Sequence, residues 1–458
     1  MTPEEFTKFI ATNEVDKIQS AFDTRKDIVL ENLKQYNIKE HEVNKHHLLQ
    51  DKHVEDSQGK PKTVKQWRLT LPWQKKIVES TVTWLFGKDV KLNQISKGTD
   101  DVLADIQGLW KDLRLHALNR EAAYLLYSET EFARLYVPYT DKDKQGQLAC
   151  MLLAQSRGDT LYTKFNEFGK MEYFARRYEI KAGDKTIEHF DIYSAEWIYK
   201  CTKTDATWLI VPERNKIGKI PAAYYKIPQT DWADVQPLIE RIEWLMSTRG
   251  GVNDATADPI LILEGEIISL PDRHDIAKVV QLQNGGKASY LSPQMVIEMV
   301  KDERETLEEA ITFFTSTVDL SQKEQSRVGT ADSGVALQMK YFAAIMKALD
   351  RQGLWMEMLD REISIQKAFL KHAKVPGVTD EHKTKRSQLD KLEIKLEFGN
   401  PLPDNIKEQI EMYSQAVGGK EMMSQKAAFE KNPLNENGAE DYAQHVEEQK
   451  AQQNTLEM

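Results

Sequence analysis

Cysteine is nearly absent from this chain: its 458 residues hold only two, Cys150 and Cys201. Two thiols cannot make a disulfide framework, so the expectation is a reducing, cytoplasmic setting. Long apolar runs are missing as well. No window approaches the roughly 18 consecutive apolar residues that a bilayer-spanning helix needs. The opening MTPEEFTKFI is acidic where a signal peptide is basic and then greasy. No membrane partner is expected. Chemical motifs are scarce too. Gly-Lys occurs at Gly59, Gly87, Gly169, Gly218, Gly286 and Gly419 but never before Ser or Thr, which excludes the phosphate-cradling P-loop. HExxH, CxxC and GxSxG do not occur. Cys150 lies in the apolar phrase ACMLLA and reads as packed rather than nucleophilic. The expectation is therefore a protein that is not an enzyme, with no catalytic residue, cofactor or metal.

What is present is charge. Acidic side chains number 72 against 62 basic ones, a net −10, and 40% of residues are apolar. A core can form, yet a mean hydropathy of −0.58 leaves much of the chain to water or polar partners. The length suits two to four domains or one elongated subunit of an assembly. The sign of the charge speaks against a protein that coats nucleic acid non-specifically. Residues 1–70 are polar and carry His41, His46, His47 and His53 among lysines. They read as a flexible arm or loop after one helix. His41 and His46 are five apart, one too many for a zinc pair on one helix face, so a solvated surface is favoured over a metal site.

From Leu71 the pattern turns helical, with Ile77, Val78, Val82, Leu85 and Phe86 on one face and a stop at Gly87. A short strand, Val90 to Leu92, follows. The cap signal at Thr99 opens a helix to about Leu118, and a third runs from about Arg120 to Ser128. Between residues 130 and 212, alternating segments predict one antiparallel sheet, wet on one side. Its aromatic residues, among them Tyr136, Tyr173, Tyr178, Phe190, Tyr193, Trp197, Tyr199 and Trp208, read as cross-strand packing in preference to base-stacking platforms.

A helix is then predicted from about Thr230 to Arg249, ending at Gly250-Gly251, followed by a strand-bearing insert and a helix from Pro293 to Phe314. Within that helix KDERETLEE holds seven charges in nine residues, five of them acidic. Such a run in one subunit usually marks a solvated face. A polar stretch, TVDLSQKEQSRVGTADSG, leads into an apolar stripe from Val335 to about Lys374, a helix on the order of 60 Å long with Gly353 as a plausible kink. A strand, KLEIKLEF, precedes Gly399. The last 58 residues hold 11 acidic and 5 basic side chains, so this helical tail carries −6 of the −10.

The order of these parts resembles the portal proteins of tailed double-stranded DNA bacteriophages, the long-tailed-phage type, from about residue 70 to 450. The phrases that carry the resemblance are IVESTVTWLFGKDVKL, IPAAYYKIP before IERIEWLMSTRGGVND, DPILILEGE, ASYLSPQ with the acidic helix, DSGVALQMKYFAAIMKALD and LEFGNPLPDNIKEQIEMYSQAVGGKEMMSQ. The resemblance implies an α+β, mainly helical portal fold. It implies an N-terminal arm and wing over 1–229, a first stem helix over 230–256, a clip over 257–292 and a second stem helix over 293–316. A tunnel loop over 317–333, a long wing helix and returning strand over 334–400 and a crown over 401–458 complete it.

By the same resemblance the chain would form a homo-oligomeric ring, usually of twelve subunits, at one capsid vertex of the virion, assembled in the host cytoplasm. Double-stranded DNA would pass through it. Other implied partners are the terminase large subunit, a head-completion or neck adaptor protein, and the major capsid and scaffolding proteins. Gln322, Lys323, Gln325, Ser326 and Arg327 would touch DNA from the tunnel loop, and Asp302, Glu303, Glu305, Glu308 and Glu309 would line the channel. That face could equally pack on a neighbouring subunit. The clip would dock partners near Arg273, His274 and Asp275, and its strands Ile260 to Leu263 and Val279 to Leu282 would pair across subunits. The alternatives are a scaffolding or minor capsid protein and, less favoured, a nucleic-acid-processing enzyme.

Overall fold

The computed structural model describes residues 1–55, 59–96, 98–140, 146–183, 185–204, 207–257, 260–264, 267–269, 281–282, 287–291, 297–318, 339, 341–372, 387–399, 406–417, 423–432, 434–435 and 438–456. These fall into two compact units, one of Met1–Asp319 with Met346–Gly399 and one of Leu320–Ile345 with Asn400–Met458.

The N-terminus is not a loose arm. Thr2 and Glu5 form a reciprocal capping box that opens α1 (Pro3–Ala11), with Pro3 in the first turn, where its missing N–H costs nothing. Two further helices follow, α2 (Val15–Ser20) and α3 (Lys26–Tyr36). Phe6, Val15, Ile18 and Phe22 are buried against Tyr162, Phe190, Ile192, Cys201 and Trp208, the inward residues of an antiparallel sheet. Apolar spacing of three to four residues in MTPEEFTKFIATNEVDKIQSAF carried this signal, and the many charges around it concealed it.

The expected single sheet is two. Strands β6 (Thr160–Phe165), β7 (Met171–Ala182), β8 (Lys185–Tyr193), β9 (Trp197–Thr204) and β10 (Thr207–Arg214) pair in the order β10-β9-β8-β7-β6. Strands β4 (Glu131–Thr140), β5 (Gly146–Leu153) and β11 (Ala222–Lys226) form a second sheet, β11-β4-β5. Leu161, Phe174 and Tyr193 of the first meet Ala133, Leu135, Leu153 and Ala222 of the second in one buried cluster. The first sheet is thus covered on both faces, by helices on one and by the smaller sheet on the other. Period-two alternation shows which residues share a face but not which sheet they join. The aromatic residues are packing groups as expected: Tyr136, Phe190, Tyr193 and Trp208 are buried, and Tyr173 and Tyr199 pack on Phe6.

The largest core lies on the other face of β11-β4-β5. It gathers α4 (Trp73–Phe86), α5 (Asp100–Asp112), α6 (Leu115–Glu129), α7 (Gln236–Ala257) and α9 (Phe342–His372), with Phe132, Tyr225 and Trp355 at its centre. Helix α9 runs unbroken through Gly353. Its 31 residues span about 46 Å at 1.5 Å each. β3 (Lys91–Gln94) pairs antiparallel with β16 (Ile394–Glu397), so the short early strand and the late one complete each other.

One polar knot is sealed inside this core. Glu362 of α9 and Arg134 of β4 are both fully buried and meet at 2.8 Å. Tyr136 donates to Glu362 at 2.7 Å and Tyr225 donates to its other oxygen. Burial alone would lower the guanidinium's affinity for its proton, but Glu362 outweighs that and holds Arg134 charged.

In the second unit α10 (Ile406–Val417), α11 (Gln425–Lys431) and α12 (Gly438–Leu456) form a small helical cluster. Ser424 caps α11 through the Ala427 N–H, and Phe429 meets the rings of Tyr442 and His445.

Candidate functional site

Most of the candidate residues lie in or beside the helix–insert–helix segment around residues 236–315. Helix α7 does not stop at Gly250-Gly251 but continues to Ala257. Gly250 answers to packing instead: a Cβ there would lie 3.1–3.2 Å from the ring of Trp67. Trp67 crosses the helix at that point and donates its indole N–H to Asp254.

The insert also differs from expectation. β12 (Ile260–Glu264) pairs with β15 (Lys287–Leu291), and β13 (Ile267–Ser269) pairs with β14 (Gln281–Leu282), all within one chain. Within one chain both ladders are antiparallel pairs that the chain reaches by folding back on itself, and Val279 and Val280 of the expected second strand lie outside the described residues. Arg273, His274 and Asp275 lie outside the described residues, as do Gln322, Lys323, Gln325, Ser326 and Arg327.

Helix α8 (Ile297–Thr315) returns beside α7. Its five candidate acids do not share one face. Glu303 turns to α7, where Arg241 holds it at 2.7 Å. Glu308 lies 3.8 Å from Arg304 and Glu305 lies 4.0 Å from Lys301, both within the helix. Asp302 and Glu309 are exposed, on the stripe that also carries Met299 and Thr306. At 100° per residue, Asp302, Glu305 and Glu309 fall within about 60° of one another and turn away from Glu303.

Residues 37–72 clamp α7 from its other side. His41 is buried, not solvated as expected. Its Nδ1 lies 2.7 Å from Glu243 and its Nε2 lies 2.8 Å from the Gln35 carbonyl. Glu243 also accepts from the Leu71 N–H, and Ser247 accepts from the Leu69 N–H at 2.8 Å. Between these anchors stands a two-stranded ladder, β1 (Lys52–Glu55) with β2 (Pro61–Val64). The first stem expectation missed this clamp because its partners are some 200 positions apart.

A second anchor sits at the foot of α7. Asp231 accepts from Thr81 at 2.8 Å, Arg351 at 3.0 Å and Lys347 at 2.8 Å. Burial would raise its carboxyl, but Lys347 and Arg351 outweigh burial and hold it below the usual carboxylate value. Lys347 also donates to the Thr315 carbonyl at 2.9 Å, which fixes the end of α8 to α9. Buried charge therefore braces the helix pair at its base.

Burial pushes the thiols of Cys150 and Cys201 up to about 12, the reverse of an activated nucleophile. Among the described residues no group of His, Cys, Asp and Glu could hold a metal ion, and no helix is long and apolar enough to cross a membrane.

The comparison with known families decides the matter. The sequence profile of the family described as "Phage portal protein, SPP1 Gp6-like" matches residues 15–455, nearly the whole chain. The chain belongs to that family. Its role is that of a portal, the connector of a bacteriophage virion involved in genome packaging. No curated protein matches it. The mixed α+β fold, with 12 α-helices among the described residues, fits that family, and portal proteins are structural rather than enzymatic.

Proposed function

We propose that this portal closes into a ring, of twelve subunits by family analogy, with α7 and α8 as the stem wall and the strand ladders between them as the clip. The observation that carries the reading is the braced helix pair, anchored in the core at Asp231 and presenting Asp302 and Glu309 to open solvent. A wall of repeated negative charge repels phosphates, so double-stranded DNA slides along it without sticking, since each phosphate contact would add affinity and slow passage. Gln322, Lys323, Gln325, Ser326 and Arg327 would supply the few sequence-blind contacts from a tunnel loop. The clip, with Arg273, His274 and Asp275, would dock the terminase large subunit and then the neck adaptor. The major capsid and scaffolding proteins would surround the wing as the particle forms in the host cytoplasm.

The test combines native mass measurement with negative-stain imaging and a packaging assay. Wild type should form rings with a central hole. Deleting residues 322–327 should leave the ring intact and impair packaging or retention of DNA. A chain that stays monomeric in all conditions, including with its capsid partners present, would overturn the reading.

A further inference from the structure

We propose that the last turns of α9 form a phosphate-binding face for the backbone of double-stranded DNA, built from Lys219, Arg361, Lys367 and Lys371. It rests on the portal role above for duplex DNA as the polyanion, and not on the ring. Arg361, Ser364, Lys367 and Lys371 recur at steps of three, three and four, so they share one side of α9. Two tight turns are fixed against that side. In the first, the Asn215 amide donates to the carbonyls of Ser194 and Lys219, both at 2.7 Å, and its oxygen accepts from the Ile217 N–H, while Gly218 supplies a left-handed φ of +71°. This sets the Lys219 ammonium on α9, 2.6 Å from the Ser364 hydroxyl. In the second, the N–H groups of Lys391 and Leu392 close on the Gln388 carbonyl, and Lys367 donates to the Leu392 carbonyl at 2.5 Å.

What marks the cluster is cationic charge without enough countercharge. Only Lys371 of the four has a carboxylate partner among the described residues, Asp390. Lys219 and Lys367 donate to neutral oxygens, and Arg361 lies 3.5 Å from the Ile220 carbonyl. Asp390 and Asp360 are the acids that act on Lys367, so four cations face two carboxylates. Burial first, then Arg361 and Lys371, hold the Lys219 ammonium below its usual value, and burial acts the same way on Arg361. An approaching phosphate relieves that repulsion. The C-terminus of a helix favours a cation, which accounts for Lys371 in the last turn of α9 but not for Lys219, which comes from another element.

The kind of anion follows from the surface. Beyond Met356, α9 exposes no large apolar side chain among the described residues, so an acidic peptide finds no pocket-filling anchor here. Ammonium and guanidinium groups beside a serine hydroxyl are the set that contacts the DNA backbone without reading sequence. Arg361 to Lys371 spans about 15 Å, along which a duplex presents about nine phosphates. Lys371 lies about 36 Å along the helix from Lys347, which ties α9 to the end of α8. Attraction at this end of α9 is thus set apart from the joint where the acidic helix is fastened.

Fluorescence polarisation of a duplex of about 30 base pairs and arbitrary sequence, titrated with the full-length chain, tests this. Wild type should bind, with affinity falling as salt rises. K219Q/K371Q should weaken binding roughly tenfold or more at about 100 mM salt and reduce the slope of log affinity against log salt by about 2, since each phosphate contact contributes about 0.9. K34Q, which removes an exposed cation of α3, should stay within about twofold of wild type. Melting temperatures check that the variants fold. A second readout uses the unaltered chain: bound duplex should shield Lys219 and Lys371 from acetylation, followed by mass spectrometry, and leave Lys34 reactive. No binding by wild type at about 50 mM salt, equal affinity in K219Q/K371Q, or stronger competition by polyglutamate than by unlabelled duplex would each overturn the assignment. All of these are read whether or not rings form, so the ring stands or falls separately on its own imaging.

Discussion

The sealed pair of Arg134 and Glu362 offers the sharpest test of how this portal's long helix is held. Replacing Glu362 by Ala strands a fully buried guanidinium and leaves the hydroxyls of Tyr136 and Tyr225 without their acceptor. Breaking one side of a buried pair costs about 3–5 kcal/mol, and each orphaned buried hydroxyl adds about 1–3 kcal/mol before relaxation. These terms are not additive, but together they rival the roughly 5–15 kcal/mol that holds a whole domain folded. E362A should therefore fail to accumulate as folded protein, or melt far below wild type. R134M/E362L should recover much of the loss, because replacing both charges by apolar groups of similar volume is close to neutral. Urea unfolding followed by far-ultraviolet circular dichroism measures all three. A cost under about 1 kcal/mol for E362A, or a double variant no better than the single one, would refute the claim that the buried charge pins α9 to the sheet.

Other outcomes follow from the same geometry. Asp159 is pushed up to about 6, by burial first, with Arg176 pulling the other way. Its folded value exceeds its unfolded 3.8, so the fold binds a proton between those values, and the stability it supplies near pH 4 is lost as pH rises through 6. D159N should escape that loss, so its melting temperature relative to wild type should be higher at pH 8 than at pH 5; equal differences at both would count against the shift. G250V should push Trp67 off α7 and destabilise by about 1–3 kcal/mol through overpacking, with altered tryptophan fluorescence, whereas G251A, with nothing near its Cβ, should be almost silent. R241A removes a half-exposed pair with Glu303 and should cost no more than about 1 kcal/mol of subunit stability, read from the same urea curves.

Much of this portal was legible in its sequence, and the residues show where legibility ended. Ile77, Val78, Val82 and Leu85 mark α4 by spacing alone, and KDERETLEE announces α8 with its surplus of acid, because helical faces depend on neighbours three and four positions away. The order of segments was enough to point to the portal family. Partners beyond that range were hidden. His41 looked like a solvated histidine until Glu243, 202 positions on, closed over it, and Gly250 looked like a helix stop until Trp67 crossed it. Glu362 sits in a helix rich in exposed charge, and nothing local distinguishes it from the acids that face water. The five acids of α8 likewise read as one face, whereas Arg241 of α7 draws Glu303 aside and leaves Asp302 and Glu309 to the solvent. Periodicity is a property of the chain, so sequence determined the elements and their amphipathic faces. Which polar group meets which is a property of surfaces brought together from hundreds of residues apart, and the tertiary structure alone decided that.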